Sequence, residues 1–229
     1  MTKRYTPHSK TTRRILTDEE VAFKNKRAKF IKRATKEETF RTPPSLFRLL
    51  VKQFPKLFKG DILDPAAGDG RYIKILLKRG FKGKHVIFDI RKEEREAWKK
   101  NGLRLLLGKK NTRISNFLEQ NIKNRFDTAV TNPPFTKSDK FVEAMLRAVK
   151  PSGNVIILEK HSFDTGKKRS KWLDKMPLKL IIVIPFRVKF EIDGLSENEV
   201  LAATYCHAFY VFQKGYSGDV VRKFLHDED

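Results

Sequence analysis

Asp61-Ile-Leu-Asp64-Pro-Ala66-Ala-Gly68-Asp-Gly70-Arg-Tyr72-Ile73-Lys-Ile-Leu76-Leu77-Lys-Arg-Gly80 is the stretch that decides the fold. A short apolar run ends in a turn carrying two glycines. Helical spacing of Tyr72, Ile73, Leu76 and Leu77 follows at once and stops at Gly80. The pattern repeats outward. His85-Val-Ile-Phe-Asp-Ile90 reads as a strand, Lys92 to Lys100 as a helix, and Thr112 to Phe117 as a strand. Phe126-Asp-Thr-Ala-Val-Thr131 is another strand. Ser138 to Val149 is an amphipathic helix ended by Pro151-Ser-Gly153, and Asn154 to Leu158 is a buried strand. Upstream, Thr42-Pro43-Pro44 opens a helix with apolar Leu46, Leu49, Leu50 and Phe54, proline being suited to a first turn whose N–H has no partner. Alternating strands and helices predict an α/β fold, a doubly wound, mostly parallel sheet. Ligands bind such sheets at the carboxyl ends of the strands, where the strand order switches. The turns at 64–70, 89–91 and 131–135 all follow strands, so they fall on one edge.

Composition bounds the partners. The 229 residues hold 50 Lys and Arg against 27 Asp and Glu, a net charge of +23, and 39 % of them are hydrophobic. That apolar share supports one domain with a core, and the positive excess favours polyanions. A single cysteine, Cys206, excludes an intramolecular disulfide and a cysteine zinc cluster. His8, His85, His161, His207 and His226 lie scattered, with no pair at metal-ligand spacing on a helix, so no metal is expected. The apolar run from Leu180 to Phe186 is too short to span a bilayer. The basic N-terminus has no apolar stretch behind it and does not read as a secretory signal. A soluble cytoplasmic protein without membrane contact is expected. Residues 1–37 stand apart, with 12 basic and four acidic side chains. They read as a basic N-terminal arm, flexible through Thr17 and helical over Asp18 to Ile31 with Thr17 as cap. Residues 38–229 form the domain proper.

Three turns carry chemistry. In the first, Gly68 and Gly70 let the backbone approach a ligand and free N–H groups at a helix start. Ile73 stands where a dinucleotide fingerprint wants Gly or Ala, and neither Gly108-Lys-Lys nor Gly166-Lys-Lys makes a P-loop. The loop is therefore not built for a pyrophosphate or triphosphate. Asp89, at the end of the next strand, suits the two hydroxyls of a ribose, or equally a helix N-cap. Asn132-Pro133-Pro134-Phe135 is the sharpest signal. Two prolines fix an extended turn that presents an amide, a carbonyl and an aromatic ring together. The Asn132 amide oxygen and the Pro133 carbonyl can accept from an exocyclic amine while Phe135 stacks on its ring.

In these motifs the sequence resembles the S-adenosylmethionine-dependent amino-methyltransferases, specifically the adenine-N6 DNA methyltransferases of bacteria and phages. Asp64-Pro-Ala66-Ala-Gly68-Asp-Gly70 matches the family's cofactor motif and Asn132 to Phe135 its catalytic motif, in the family's order. Phe40-Arg-Thr42-Pro43 looks like its extra N-terminal motif, in which the threonine contacts the methionine end of the cofactor. Asn116-Phe117-Leu118 stands where the family has Asp-Phe-Leu; the asparagine keeps an acceptor for the cofactor's adenine amine but lacks the charge. Phe163 to Arg169, Trp172 and Phe186 to Phe190 look like the tail of a compact phage-type subgroup, in which Phe190 would be a second aromatic wall for the target base. The resemblance covers about residues 38 to 215. It implies a Rossmann-like class I methyltransferase domain, S-adenosyl-L-methionine as cofactor, and nucleic acid as partner, DNA ahead of RNA.

The implied reaction is direct methyl transfer to the N6 amine of a flipped adenine, with no covalent nucleophile. Cys206 follows Tyr205, so the Pro-Cys nucleophile of cytosine-C5 enzymes is absent. His161 reads as a structural or surface residue. The alternative is an RNA methyltransferase acting on adenine-N6 or guanine-N2. Protein-glutamine methyltransferases share the Asn-Pro-Pro-aromatic turn, but the charge argues against a protein substrate. A non-catalytic nucleic-acid-binding protein of this fold would be expected to have lost Gly68, Asn132 or Phe135, and none is lost. No insertion is large enough for a separate target-recognition domain.

Overall fold

The computed structural model describes residues 17–200 and 202–227, and everything below concerns these. The flexible start assigned to the arm lies almost wholly outside them. A helix α1, Asp18–Glu37, opens the described chain. Thr17 caps it: its hydroxyl accepts from the Glu20 N–H while the Glu20 carboxylate accepts from the Thr17 N–H. The helix runs six residues beyond Ile31 and ends on Glu38 in the left-handed conformation, φ 50°.

Then come α2 (Pro44–Gln53), β1 (Ile62–Asp64), α3 (Arg71–Lys78), β2 (His85–Asp89), α4 (Glu94–Lys100) and α5 (Leu103–Leu107). They are followed by β3 (Thr112–Ile114), β4 (Phe126–Thr131), α6 (Ser138–Ala148) and β5 (Val149–Lys160). The chain closes with α7 (Lys167–Leu173), β6 (Leu178–Ile184), β7 (His207–Gln213) and β8 (Val221–Phe224). One eight-stranded sheet results, in the order β3-β2-β1-β4-β5-β7-β6-β8. Pairing is parallel from β3 through β5 and again between β6 and β8; β7 alone runs antiparallel to both of its neighbours, β5 and β6. The doubly wound, mostly parallel expectation therefore holds.

Three local expectations need correction. The strand expected over Thr112–Phe117 stops at Ile114, because Asn116 turns the chain by accepting from the Leu118 N–H with its own side chain. The helix α6 ends at Ala148, one residue short of Val149, and Val149 already opens the strand expected from Asn154, with a register shift where it joins β4. The short helix α5, with Leu105 and Leu106 exposed, was not legible as a separate element.

Apolar side chains cover the sheet on both faces. On one side Leu46, Phe47 and Leu50 of α2 and Ile73 and Leu76 of α3 are buried, with Phe47 stacked on Tyr72 at 3.8 Å between ring centres. On the other side Val142 and Met145 of α6 pack with Leu63, Ala129, Val155 and Ile157. No described helix is long and apolar enough to cross a membrane. Strand β1 lies between β2 and β4, so the strand order reverses there, and the turns after β1 and β4 open beside each other.

Candidate active site

The turns after β1, β2 and β4 meet, as strand logic requires, around a pocket of about 180 Å³. Its walls include Thr42, Asp64, Ala66, Gly68, Asp89, Asn116 and Phe117, seven residues expected for a cofactor, and Asn132 and Pro134 of the Asn-Pro-Pro-Phe turn. Gly70 lies just outside the wall as the left-handed cap of α3, φ 80°; Gly68 is left-handed too, φ 55°. A Cβ on Gly70 would lie 2.2 Å from the Leu103 side chain, so this position is closed to any other residue without movement.

The loop is held from beneath by groups that no motif singles out. Trp98 donates its indole N–H to the Gly68 carbonyl at 2.7 Å, and the Asn101 amide donates to the Asp69 carbonyl at 2.7 Å. Trp98 is fully buried, and its place on the apolar side of α4 was the only signal available. Across the pocket Tyr72 donates its hydroxyl to Thr42 at 2.8 Å, both groups being buried. Thr42 and the glycine loop are thus tied through the first turn of α3.

Asp64 forms the dry floor. Burial pushes its carboxyl up to about 8, against hydrogen bonding that pulls it down, including the Ala66 N–H at 3.3 Å. A group in that state is one that an arriving cation would return to the carboxylate. Asp89 is engaged differently. Its Oδ2 accepts from the Gly68 N–H at 2.8 Å and its Oδ1 from the Arg91 N–H at 2.9 Å, and the Arg91 guanidinium reaches both oxygens. Asp89 therefore braces two loops at the pocket wall, and it is not the N-cap of α4, a place held by Glu93. Buried Glu94 collects Arg91 at 2.9 Å and Arg41 at 2.8 Å, and Arg41 continues to Asp193. This ion-pair chain rims the pocket and was invisible in the sequence because its members come from three separate segments.

Asn116 sits at the opposite rim. Its Oδ1 caps the Leu118 N–H at 3.1 Å and its Nδ2 donates to Glu119 at 2.7 Å. Phe117 is buried, edge-on to Phe88 and stacked with Phe141.

The Asn132-Pro133-Pro134-Phe135 turn leaves β4 at the pocket. Asn132 Nδ2 donates to the Phe40 carbonyl at 3.0 Å, which fixes the amide's orientation because a carbonyl only accepts. The other end, Oδ1, is buried and has no hydrogen-bond partner. Glu38 pins the end of the turn, accepting from the Thr136 N–H at 3.0 Å and its hydroxyl at 2.6 Å. Behind it, the Ser138 hydroxyl reaches the Pro134 carbonyl at 3.3 Å and makes a short hydrogen bond to the Glu159 carboxyl. Burial raises Glu159 to about 7.

Phe190 does not meet Phe135. It is buried edge-on to Phe40, and the His207 ring lies 4.8 Å from it and 6.2 Å from Phe135, so both rings border His207. The segment carrying Phe190 is drawn inward by the Arg41–Glu191 backbone bridge. Burial lowers His207 to about 4, leaving a neutral ring beside the turn. Lys160 places its ammonium over the Phe135 ring at 5.7 Å and over Tyr205 at 4.6 Å. His161 turns away, its Nε2 3.4 Å from Arg222.

The site fits S-adenosyl-L-methionine by its own chemistry: left-handed glycines in a backbone loop beside a buried carboxyl. Thr42, Asp64, Ala66, Gly68, Asp89, Asn116 and Phe117 line the pocket that would hold it, with Gly70 just behind the loop.

Comparison with known proteins agrees with this arrangement. The methyltransferase small domain family matches residues 47–172. No curated protein matches the chain. Among solved structures, one assigned as a class I S-adenosylmethionine-dependent methyltransferase from Listeria monocytogenes superposes with TM-score 0.58 at 17 % identity, covering 82 % of this chain and 66 % of that one. One assigned as an RNA methyltransferase from Pyrococcus horikoshii gives 0.55 at 15 % identity, over 76 % and 86 %. A modification subunit assigned to a type I restriction enzyme from Vibrio vulnificus gives 0.56 at 15 % identity, over 94 % of this chain but 54 % of that one, so the chain spans about half of the subunit. At these identities the likenesses establish the fold. The family match covers more than half of the sequence and contains both the glycine loop and the Asn-Pro-Pro-Phe turn, so the chain belongs to the methyltransferase small domain family, with S-adenosyl-L-methionine as its cofactor.

Proposed function

We propose that the protein methylates the exocyclic N6 amine of adenine in DNA. The observation that carries this reading is the unpaired, buried Oδ1 of Asn132. An acceptor left without a donor in a closed site costs about 1–3 kcal/mol, so its persistence points to a donor supplied by substrate. An amine on a planar ring supplies it, and Phe135 in the same turn offers that ring a stacking face. Bound S-adenosyl-L-methionine supplies an electrophilic methyl group on sulfur. The chain's own residues position and polarise the acceptor: Asn132 and the Pro133 carbonyl accept from the amine and direct its lone pair, and Pro134 with Glu38 keeps the turn from yielding.

The charge supports a nucleic-acid substrate. Besides the net +23, a wide cleft of about 1190 Å³ between α2 and the 186–195 segment is lined by Arg48, Arg79, Arg187 and Lys189, while its acids Asp69, Glu191 and Asp193 are paired with Arg71 and Arg41 and Asp227 completes the lining. The fold likeness to the modification subunit is consistent with DNA, and the likeness to the Pyrococcus protein keeps RNA as the competing acceptor.

Nucleoside mass spectrometry of DNA and of RNA, each incubated with protein and cofactor, tests the reading. N6-methyladenine in DNA is expected. Modification of RNA alone would move the assignment to RNA, and a methylated guanine or no methylated base would overturn it.

A further inference from the structure

A second pocket, of about 400 Å³, opens on the far side of the catalytic turn and shares Phe135 with it. We infer that this pocket is a phosphodiester subsite, in which Arg169 and Lys160 receive a backbone phosphate of the strand that carries the acceptor base. The inference rests on the nucleic-acid reading above and adds to it the place where the strand is gripped.

Arg169 carries the argument. Its guanidinium stacks on Phe163 at 4.3 Å and lies 5.8 Å from the Trp172 ring centre. This packing holds the group in place, yet its Nη1 is buried and has no hydrogen-bond partner. An arginine N–H withdrawn from water without an acceptor is uncommon, and a site that keeps one is arranged for an acceptor that arrives from outside. No carboxylate among the described residues forms an ion pair with Arg169 or Lys160. The one acid in the pocket wall, Glu159, is already taken: Ser138 donates to one oxygen and the Lys160 N–H to the other at 2.9 Å.

The ammonium of Lys160 rests on aromatic rings, those of Phe135 and Tyr205. Such contacts are weaker than an ion pair and release the cation to an anion. Lys167 and Lys168 bring two further positive charges to the same wall. The pocket thus offers a planar guanidinium fork and an ammonium, the pair of donors that suits the two free oxygens of a phosphodiester. Its position follows the covalent structure of a nucleotide. A base stacked on Phe135 drags its own sugar and phosphate with it, and a phosphate pocket that begins at the same ring needs no other adaptor.

The test uses the full chain, S-adenosylhomocysteine and short adenine-containing DNA and RNA oligonucleotides, with affinity measured over a range of salt concentrations. Arg169→Gln, which removes the guanidinium and its charge, is expected to bind about tenfold more weakly and to lower the slope of log affinity against log salt by about one. Arg169→Lys should recover part of both. The slope separates the two roles, since a residue that only supports the loop changes affinity without changing the number of phosphates neutralised. If Arg169→Gln does not fold, Lys160→Gln must show the same two effects. Unchanged affinity, or weaker binding at an unchanged slope, would overturn the subsite while leaving the nucleic-acid reading intact. Failure of the unmodified protein to bind either nucleic acid would overturn that reading, and the subsite with it.

Discussion

Asn132 and Phe40 lie 92 residues apart, and the 3.0 Å hydrogen bond between the Asn132 amide and the Phe40 carbonyl decides which end of that amide is left without a partner. The N-terminal Phe40-Arg-Thr42-Pro43 segment therefore supports the Asn132 turn as well as contributing to the pocket wall. Asn132→Ala is expected to lower turnover by about two to three decades, as for other single preorganised polar groups, with little change in cofactor affinity. Single-turnover kinetics on an adenine-containing oligonucleotide checks this. Near-normal rates would remove the turn from the chemistry.

Phe135 contributes a face and not a hydrogen bond. Phe135→Ala should weaken capture of the flipped base by about 1–3 kcal/mol and slow the reaction as well, whereas Phe135→Trp should retain part of both. The fluorescence of 2-aminopurine at the target position reports the flip. Equal signals from the alanine and tryptophan variants would show that the ring does not stack on the base.

Asp64 links cofactor binding to pH. Its carboxyl, near 3.8 in an unfolded chain, is held up to about 8 by burial in the ligand-free protein. The folded state thus binds an extra proton between those values, so the contribution of this group to stability falls as pH rises from about 4 to about 8 and is constant above. A ligand bearing an ammonium prefers the carboxylate. Affinity for S-adenosylhomocysteine should therefore rise by up to about tenfold per unit between pH 6 and 8 and level off above. Calorimetry in buffers of different ionisation heat should register proton release at pH 7. Asp64→Asn should bind weakly with a flat profile, and a slope that persists in that variant would assign the effect to another group.

The two glycines of the loop fail differently. Gly70→Ala drives a methyl into Leu103 and demands a left-handed alanine, so a loss of about 2–4 kcal/mol is expected, seen as a lower melting temperature. Around Gly68 the nearest atoms to a new Cβ are the guanidinium ends of Arg41 at 3.2 Å and Arg91 at 3.5 Å, which can shift, so the strain there comes from the left-handed backbone, φ 55°. Gly68→Val should lower the melting temperature, keep a native circular-dichroism spectrum below it and lose cofactor binding. Unchanged affinity in a titration would remove this loop from the cofactor site.

The helix α1 presents Lys24, Lys29 and Lys32 to solvent, while Lys26 is paired with Glu199 at 2.7 Å. Changing the three exposed lysines to glutamine should weaken nucleic-acid binding for all sequences alike and reduce its salt slope by about two to three. Melting should stay unchanged. An unaltered slope would show that the helix is a solvated face.

Local rules were enough for much of this protein. The capping box at Thr17, the Pro44 helix start, the strand–turn–helix unit around Gly68 and Gly70, and the rigid turn at Asn132 follow from propensities and steric limits that act over a few residues, so they can be read directly from the sequence. Strand alternation then placed the three functional turns on one edge, because parallel strands point their carboxyl ends the same way. What stayed hidden depends on groups far apart in the chain meeting in space. Trp98 under Gly68, Glu38 on Thr136, and the chain from Asp89 through Arg91, Glu94 and Arg41 to Asp193 have no spacing that a sequence pattern could reveal. Tertiary packing also set Phe190 against Phe40 and His207, and His207 and Lys160 beside Phe135, since which aromatic rings meet is decided by how β7 and the 186–195 segment pack. The buried state of Asp64 and the unpaired oxygen of Asn132 belong to the same class: residue type supplies the donor or acceptor, and only the folded environment removes its water.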